Sequence, residues 1–154
     1  MTLGTLAGVM PASGTPGLRP YTLHIPVPSV WLNANQRVDL RRQTSDRVAW
    51  RHAAATYARQ ARIPLAIPAV HIVARYHFTD RRRRDVGNYY PTVKAVIDGL
   101  VDYGLVVDDD DTHVLGPDPR RGATVSKRPY PAGGLLVLVI RPLAYEITPE
   151  DVTL

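Results

Sequence analysis

Cysteine is absent from this chain of 154 residues. Its absence excludes disulfides and thiolate metal sites, so a bound metal must be held by oxygen or imidazole ligands, as suits a reducing cytoplasm. No apolar run approaches the roughly 18 residues that span a bilayer; the longest, Leu135 to Ile140, falls far short. The opening segment MTLGTLAGVMPASGTPGLRP has no positive charge ahead of its short apolar stretch, and Pro11 interrupts it, so it does not read as a signal peptide. A soluble, cytoplasmic protein with no membrane partner is expected. The sequence also lacks a Gly-rich phosphate loop, a serine in nucleophile-elbow context and an internal repeat, and no organic cofactor is implied. The five histidines, His24, His52, His71, His77 and His113, form no pair at metal-ligand spacing on one predicted helix.

What the chain does hold is charge, unevenly spread. The formal net charge is +5, dominated by arginine, and the basic residues are clumped as Arg41–Arg42, Arg81–Arg84, Arg120–Arg121 and Lys127–Arg128. One such pair reads as solvated loop charge. Four clumps on one small domain point to a polyanion, because the arginine fork matches phosphate oxygens. Against this background the run Asp108–Asp111 stands out. Adjacent carboxylates repel and raise one another's pKa, so such a cluster tends to persist where a cation holds it.

With 45% hydrophobic residues the chain is long enough for one core and too short for two comfortable domains. Residues 1–19, rich in Gly, Pro, Ser and Thr, read as a mobile arm, 20–145 as the folded domain and 146–154 as a tail. A strand is predicted from Tyr21, closed by Pro26 and Pro28, followed by the loop WLNANQRVDLRR. A helix is predicted from about Thr44 to Arg62, with Thr44 or Ser45 as N-cap and Val48, Ala54, Ala55 and Ala58 as its buried stripe. Ala69 to Phe78 reads as a central strand. A second helix is predicted from near Asn88 to Tyr103, with Pro91 tolerated in its first turn, Val93, Ile97, Leu100 and Val101 facing the core, and Gly104 closing it. The stretch HVLGPDPRRGATVSKR reads as turn-rich with a hairpin arm, and GGLLVLVIRPL as the last strand. The expected fold is α+β: one domain, a mixed β-sheet with two main helices packed on it.

Asp85 at the entrance to the second helix and the aspartates beyond its exit would be separated by the helix length, at about 1.5 Å per residue, unless the chain returns along the helix or a partner contributes. Magnesium accepts one or two carboxylates plus waters and substrate phosphate. Asp85 and Asp109 meet that demand, and Asn88 reads as the helix cap rather than a ligand. Lys94 and Asp98 are spaced as an i,i+4 ion pair; the functional alternative is a lysine that contacts phosphate, directed by Asp98. Trp31, with Asn33 and Asn35, is either a base or phosphate contact or part of the core.

The order of these residues resembles the RusA family of Holliday junction resolvases, largely phage or prophage endodeoxyribonucleases. The likeness runs from about Tyr21 to the last strand and is sharpest between Arg81 and Val114. The family pattern of an Asp, an Asn three residues on, a Lys, an Asp four further, a Gly and an Asp-Asp pair reads here as Asp85, Asn88, Lys94, Asp98, Gly104 and Asp108-Asp109. Many members carry a second Asp where this chain has Gly87, and the interval from Asn88 to Lys94 is longer than usual. The resemblance implies a two-fold homodimer acting on branched DNA, the four-way junction, in the cytoplasm (the host's, if phage-encoded). It implies Asp85, Asp109 and Asp108 as ligands of Mg²⁺, with Mn²⁺ substituting, and Lys94 at the scissile phosphate or the departing oxygen. DNA would be held by Asn33, Asn35, Arg37, Arg81, Arg82, Arg83, Arg84, Asn88, Arg120, Arg121, Lys127 and Arg128. A junction-binding accessory protein that has lost cleavage, and a nuclease for other branched nucleic acids, are the alternatives.

Overall fold

The computed structural model describes residues 19–152. The arm expected at residues 1–19 thus lies, but for Arg19, outside the described residues. The elements are β1 (Tyr21–Pro26), α1 (Leu40–Gln60), β2 (Ala69–Phe78), a 3₁₀ turn (Val86–Tyr89), α2 (Tyr90–Tyr103), β3 (Val114–Arg121), β4 (Gly134–Leu143) and a closing 3₁₀ turn (Pro149–Val152). The strands form one mixed sheet of order β1-β4-β2-β3, in which β4 is antiparallel to both neighbours and β2 is parallel to β3. This is the expected single-domain α+β architecture. No helix among the described residues is long and apolar enough to cross a membrane.

The strands alternate as half-buried strands should, and one face receives both helices. On that face Ile25, Ile72, Tyr76, Leu136, Leu138 and Ile140 meet Trp50, Ala54 and Ala58 of α1 and Val93, Val96 and Leu100 of α2 in one core. The helices cross at Gly99: a Cβ there would lie 2.2 Å from the Arg51 carbonyl oxygen, so only glycine lets the backbones approach so closely. Beside this crossing Arg51 forks onto Asp102, with Nη2 to Oδ1 at 2.8 Å. At the far end α2 stops on Gly104, whose φ of 103° is the left-handed conformation that glycine adopts freely.

Two expectations need correction. The first helix begins at Leu40, not Thr44, because the Asp39 side chain accepts the Arg42 N–H at 2.9 Å and caps it. Its buried stripe is Trp50, Ala54 and Ala58, while Val48 is exposed and Ala55 half-buried. The turn-rich stretch after the aspartates is not a hairpin arm: it is β3, paired in parallel with β2. Gly116, Pro117 and Pro119 read as turn residues in the sequence, yet here they sit in an edge strand with a cis Gly116–Pro117 peptide. Within the segment read as a tail, Ile147 is buried and its N–H donates to the Thr112 carbonyl at 2.8 Å.

Candidate functional site

The loop WLNANQR is tied to the start of α2 by the fully buried Thr92. Its hydroxyl donates to the Leu32 carbonyl and accepts the Leu32 N–H, both at 2.8 Å. The Ala34 N–H donates to the Asn88 carbonyl at 2.8 Å. Beneath the loop Trp31 packs among Trp50, Tyr76, Phe78 and Tyr89, and its indole N–H donates to the Gly133 carbonyl at 2.9 Å. Trp31 is therefore half-buried against the core, with its indole N–H already engaged. The strapping brings Asn33 to the end of the arginine run, and Asn33, Arg82, Arg83, Arg84, Asp85 and Asn88 line one polar concavity of about 270 Å³. Asn33 also lines a neighbouring groove of about 500 Å³ against the first turns of α1, with Gln36, Arg42 and Arg47.

Within the concavity the roles differ from those expected. Asp85, not Asn88, is the cap: its Oδ1 accepts the Gly87 N–H at 3.0 Å and starts the 3₁₀ turn. The first turn of α2 has no side-chain cap of its own: it continues from the 3₁₀ turn, with the Tyr90 N–H donating to the Gly87 carbonyl and Pro91 bringing no N–H. Arg81, Arg82 and Arg83 are exposed, but Arg84 is turned inward. It forks onto Asp80 at 2.6 and 3.1 Å and lies 4.2 Å from the centre of the Phe78 ring. Arg121 leans on the same ring and donates to the Arg82 carbonyl at 2.9 Å. Arg84 and Arg121 thus shape the arginine loop from within.

The quartet returns along α2 as far as Lys94. After Gly104 the chain reverses, burying Leu105 and Val106, and the Asp109 carboxylate accepts from the Lys94 ammonium, which also donates to Asp98 Oδ1 at 2.7 Å. Lys94 is the fifth residue of α2, about 6 Å along the axis from the helix start at Tyr90, and the 3₁₀ turn Val86–Tyr89 lies between that start and Asp85. No contact joins Asp85 to Asp109 among the described residues. Partial burial works against the Lys94 ammonium, but the hydrogen bonds to Asp109 and Asp98 outweigh it and hold its pKa above the ordinary value. The same hydrogen bond from Lys94 holds Asp109 below the usual carboxylate range. Asp108 Oδ1 accepts the Asp109 N–H at 2.7 Å. Asp110 ties the turn to Thr112 and to His113, whose Nδ1 lies 2.5 Å from Asp110 Oδ1.

Of the other expected contacts, Asn35 donates its N–H to Asn33 Oδ1 at 2.8 Å, and Arg37, Lys127 and Arg128 are exposed beyond the concavity. Arg120 and Arg121 point to opposite sides of the sheet. Asp80 was missed; its only signal was its i,i+4 spacing to Arg84.

The donor set for a cation is all oxygen, and among the described residues no three His, Asp or Glu side chains converge on one point. The carboxylates come singly or in pairs, Asp85 in one place and Asp108 with Asp109 in another. Magnesium, which keeps several waters, is compatible with such sparse hard ligands. The Gly87 position, where a Cβ would sit 3.3 Å from Asp85 Oδ1, is where a second carboxylate would join the first.

These ion pairs predict an acid limb in stability. Asp80, Asp102 and Asp109 are each held low, by Arg84, Arg51 and Lys94 respectively. A carboxylate depressed in the folded state contributes stability that is present above its unfolded pKa, about 3.9, and is lost as pH falls through the folded value. The urea midpoint should therefore drop progressively as the pH falls below about 4. A midpoint constant over that window would show that these pairs contribute nothing to stability. No protein-family model matches the chain, and a search of the curated proteins finds no match.

Proposed function

We propose that this chain is a RusA-type endodeoxyribonuclease that resolves four-way DNA junctions by metal-dependent hydrolysis, acting as a two-fold homodimer. The observation that supports it best is the concavity where Asn33, three arginines, Asp85 and Asn88 meet ahead of α2. Residues from separate segments form one polar, basic recess with a carboxylate in its wall. Asp85, Asp109 and Asp108 would hold Mg²⁺, or Mn²⁺ in its place, which when bound supplies an activated water and neutralises charge on the phosphate. Arg82 and Arg83 bind the phosphodiester backbone, and Asn33 and Asn88 orient it. Lys94 stands one turn into α2 and donates to the phosphate or the departing oxygen, while Asp98 fixes its direction. A two-fold dimer would set two such recesses symmetrically for paired nicks.

Junction binding without cleavage is the second reading. It is favoured by the Lys94 ammonium, which already neutralises Asp109, and by Gly87, which leaves Asp85 without a neighbouring carboxylate. Incubating the protein with a labelled four-way junction or a matched linear duplex, under Mg²⁺, Mn²⁺ or EDTA, separates the two. Paired metal-dependent nicks confined to the junction, and lost in Asp85→Asn and Asp109→Asn, are expected. Tight junction binding with no nick under either metal leaves the binding module, and preferential cutting of flaps, forks or RNA in competition changes the substrate.

A further inference from the structure

The sheet face opposite the helices carries no helix among the described residues, and the register shows which side chains share it. Residues paired across neighbouring strands point to the same side. One row therefore reads His24, Val137, Arg75 and Arg120 from β1 to β3, the next Thr22, Val139, Val73 and Asp118, and a third places Arg141 beside His71. His77 lies on the same face, two residues beyond Arg75. Arg75, Arg120 and Arg141 are exposed there. Asp118 is the one carboxylate that the strands give to this face, and it is occupied by His71 Nε2 at 2.6 Å. No carboxylate pairs with Arg75, Arg120 or Arg141 among the described residues.

Arg75 and Arg120 stand directly opposite on adjacent strands, about 4.8 Å apart at the backbone, an arrangement that costs stability unless an anion sits between them. Arg141 lies beside His71, four residues along β2 from Arg75, or about 13 Å at strand rise. That separation is close to the major-groove width of about 12 Å, so the pair and Arg141 are spaced for phosphates on both strands of a duplex. A second copy of this face would oppose arginine with arginine, which disfavours it as the dimer interface.

We propose that the open sheet face is a second nucleic-acid surface, on which a duplex arm docks through its phosphates, remote from the Asp85 recess. The inference rests on the reading of the chain as a DNA-binding enzyme. Binding of a labelled linear duplex is measured in EDTA at stepped salt for the wild type, for Arg75→Gln/Arg120→Gln/Arg141→Gln, and for Arg81→Gln/Arg82→Gln/Arg83→Gln. The sheet-face variant should bind more weakly, its log–log salt slope smaller by about three from the lost phosphate contacts. An unchanged affinity and slope in that variant, with weakening in the loop variant, overturns the surface and leaves the function standing. Failure of the wild type to bind any DNA overturns both. Weaker duplex binding in a protein that never nicks junctions supports the surface while the nuclease reading fails. Conversion of the dimer to a monomer by the sheet-face variant shows an interface between copies instead. Circular dichroism of the single Arg75→Gln variant, with the same titration, separates lost contacts from misfolding.

Discussion

Lys94→Met is expected to slow junction nicking by about 100-fold or more, the scale on which loss of one donor to developing charge is felt, while junction affinity falls by no more than one phosphate contact. Methionine keeps most of the stem and removes only the ammonium. In the free protein that ammonium bridges Asp98 and Asp109, tying the middle of α2 to the returning aspartates. Two carboxylates on one lysine hold it charged and restrict its rotamers, as a group stabilising a departing oxygen requires. Single-turnover nicking at saturating junction, beside equilibrium binding in EDTA, is the measurement, and Lys94→Arg should restore part of the rate. Wild-type nicking by Lys94→Met would reduce the lysine to an ion pair of about 0.2 to 0.5 kcal/mol.

The largest effect on stability is expected at Trp50. Its side chain is completely buried, its ring centre lies 5.6 Å from that of Trp31, and its indole N–H donates to the Val30 carbonyl at 2.8 Å. Trp50→Ala should lose about 3 to 5 kcal/mol through the cavity, with the Val30 carbonyl left unpaired. That is a large share of the roughly 5 to 15 kcal/mol by which a domain is stable. Trp50→Phe should recover most of the packing but not the hydrogen bond. Because Trp31 begins the loop that carries Asn33, both variants should also weaken junction binding. Urea unfolding within about 0.5 kcal/mol of wild type, the range of an ordinary surface change, would show that the aromatic cluster does not support the fold.

Much of the fold was legible because its periodicities are local. Ala69 to Phe78, the span of α2, the Gly104 stop and the last strand follow from alternation, helical spacing and turn chemistry. β3 was not legible: its glycine and prolines carry turn chemistry, and only the side of β2 left unpaired by β4 makes them a strand. The start of α1 was missed for a smaller reason, since Asp39 is as good a cap as Thr44 and lies earlier. In the site, the pairing of Lys94 with Asp98 could be read from spacing, but that of Lys94 with Asp109 could not, because it depends on the path of the chain after Gly104. The inward turn of Arg84 was hidden too. Four identical letters give no sign of which guanidinium meets Asp80 and the Phe78 ring.

The prolines of β3 have a consequence for assembly. A strand recruits another by offering its outward N–H groups, and Pro117 and Pro119 have none to offer. One flank of the sheet is thus blunted chemically, with no covering helix among the described residues. At the opposite flank β1 has no proline before its last residue. Continuation of the sheet into a neighbouring molecule is accordingly favoured at the β1 side over the β3 side, a bias that works against open-ended polymerisation.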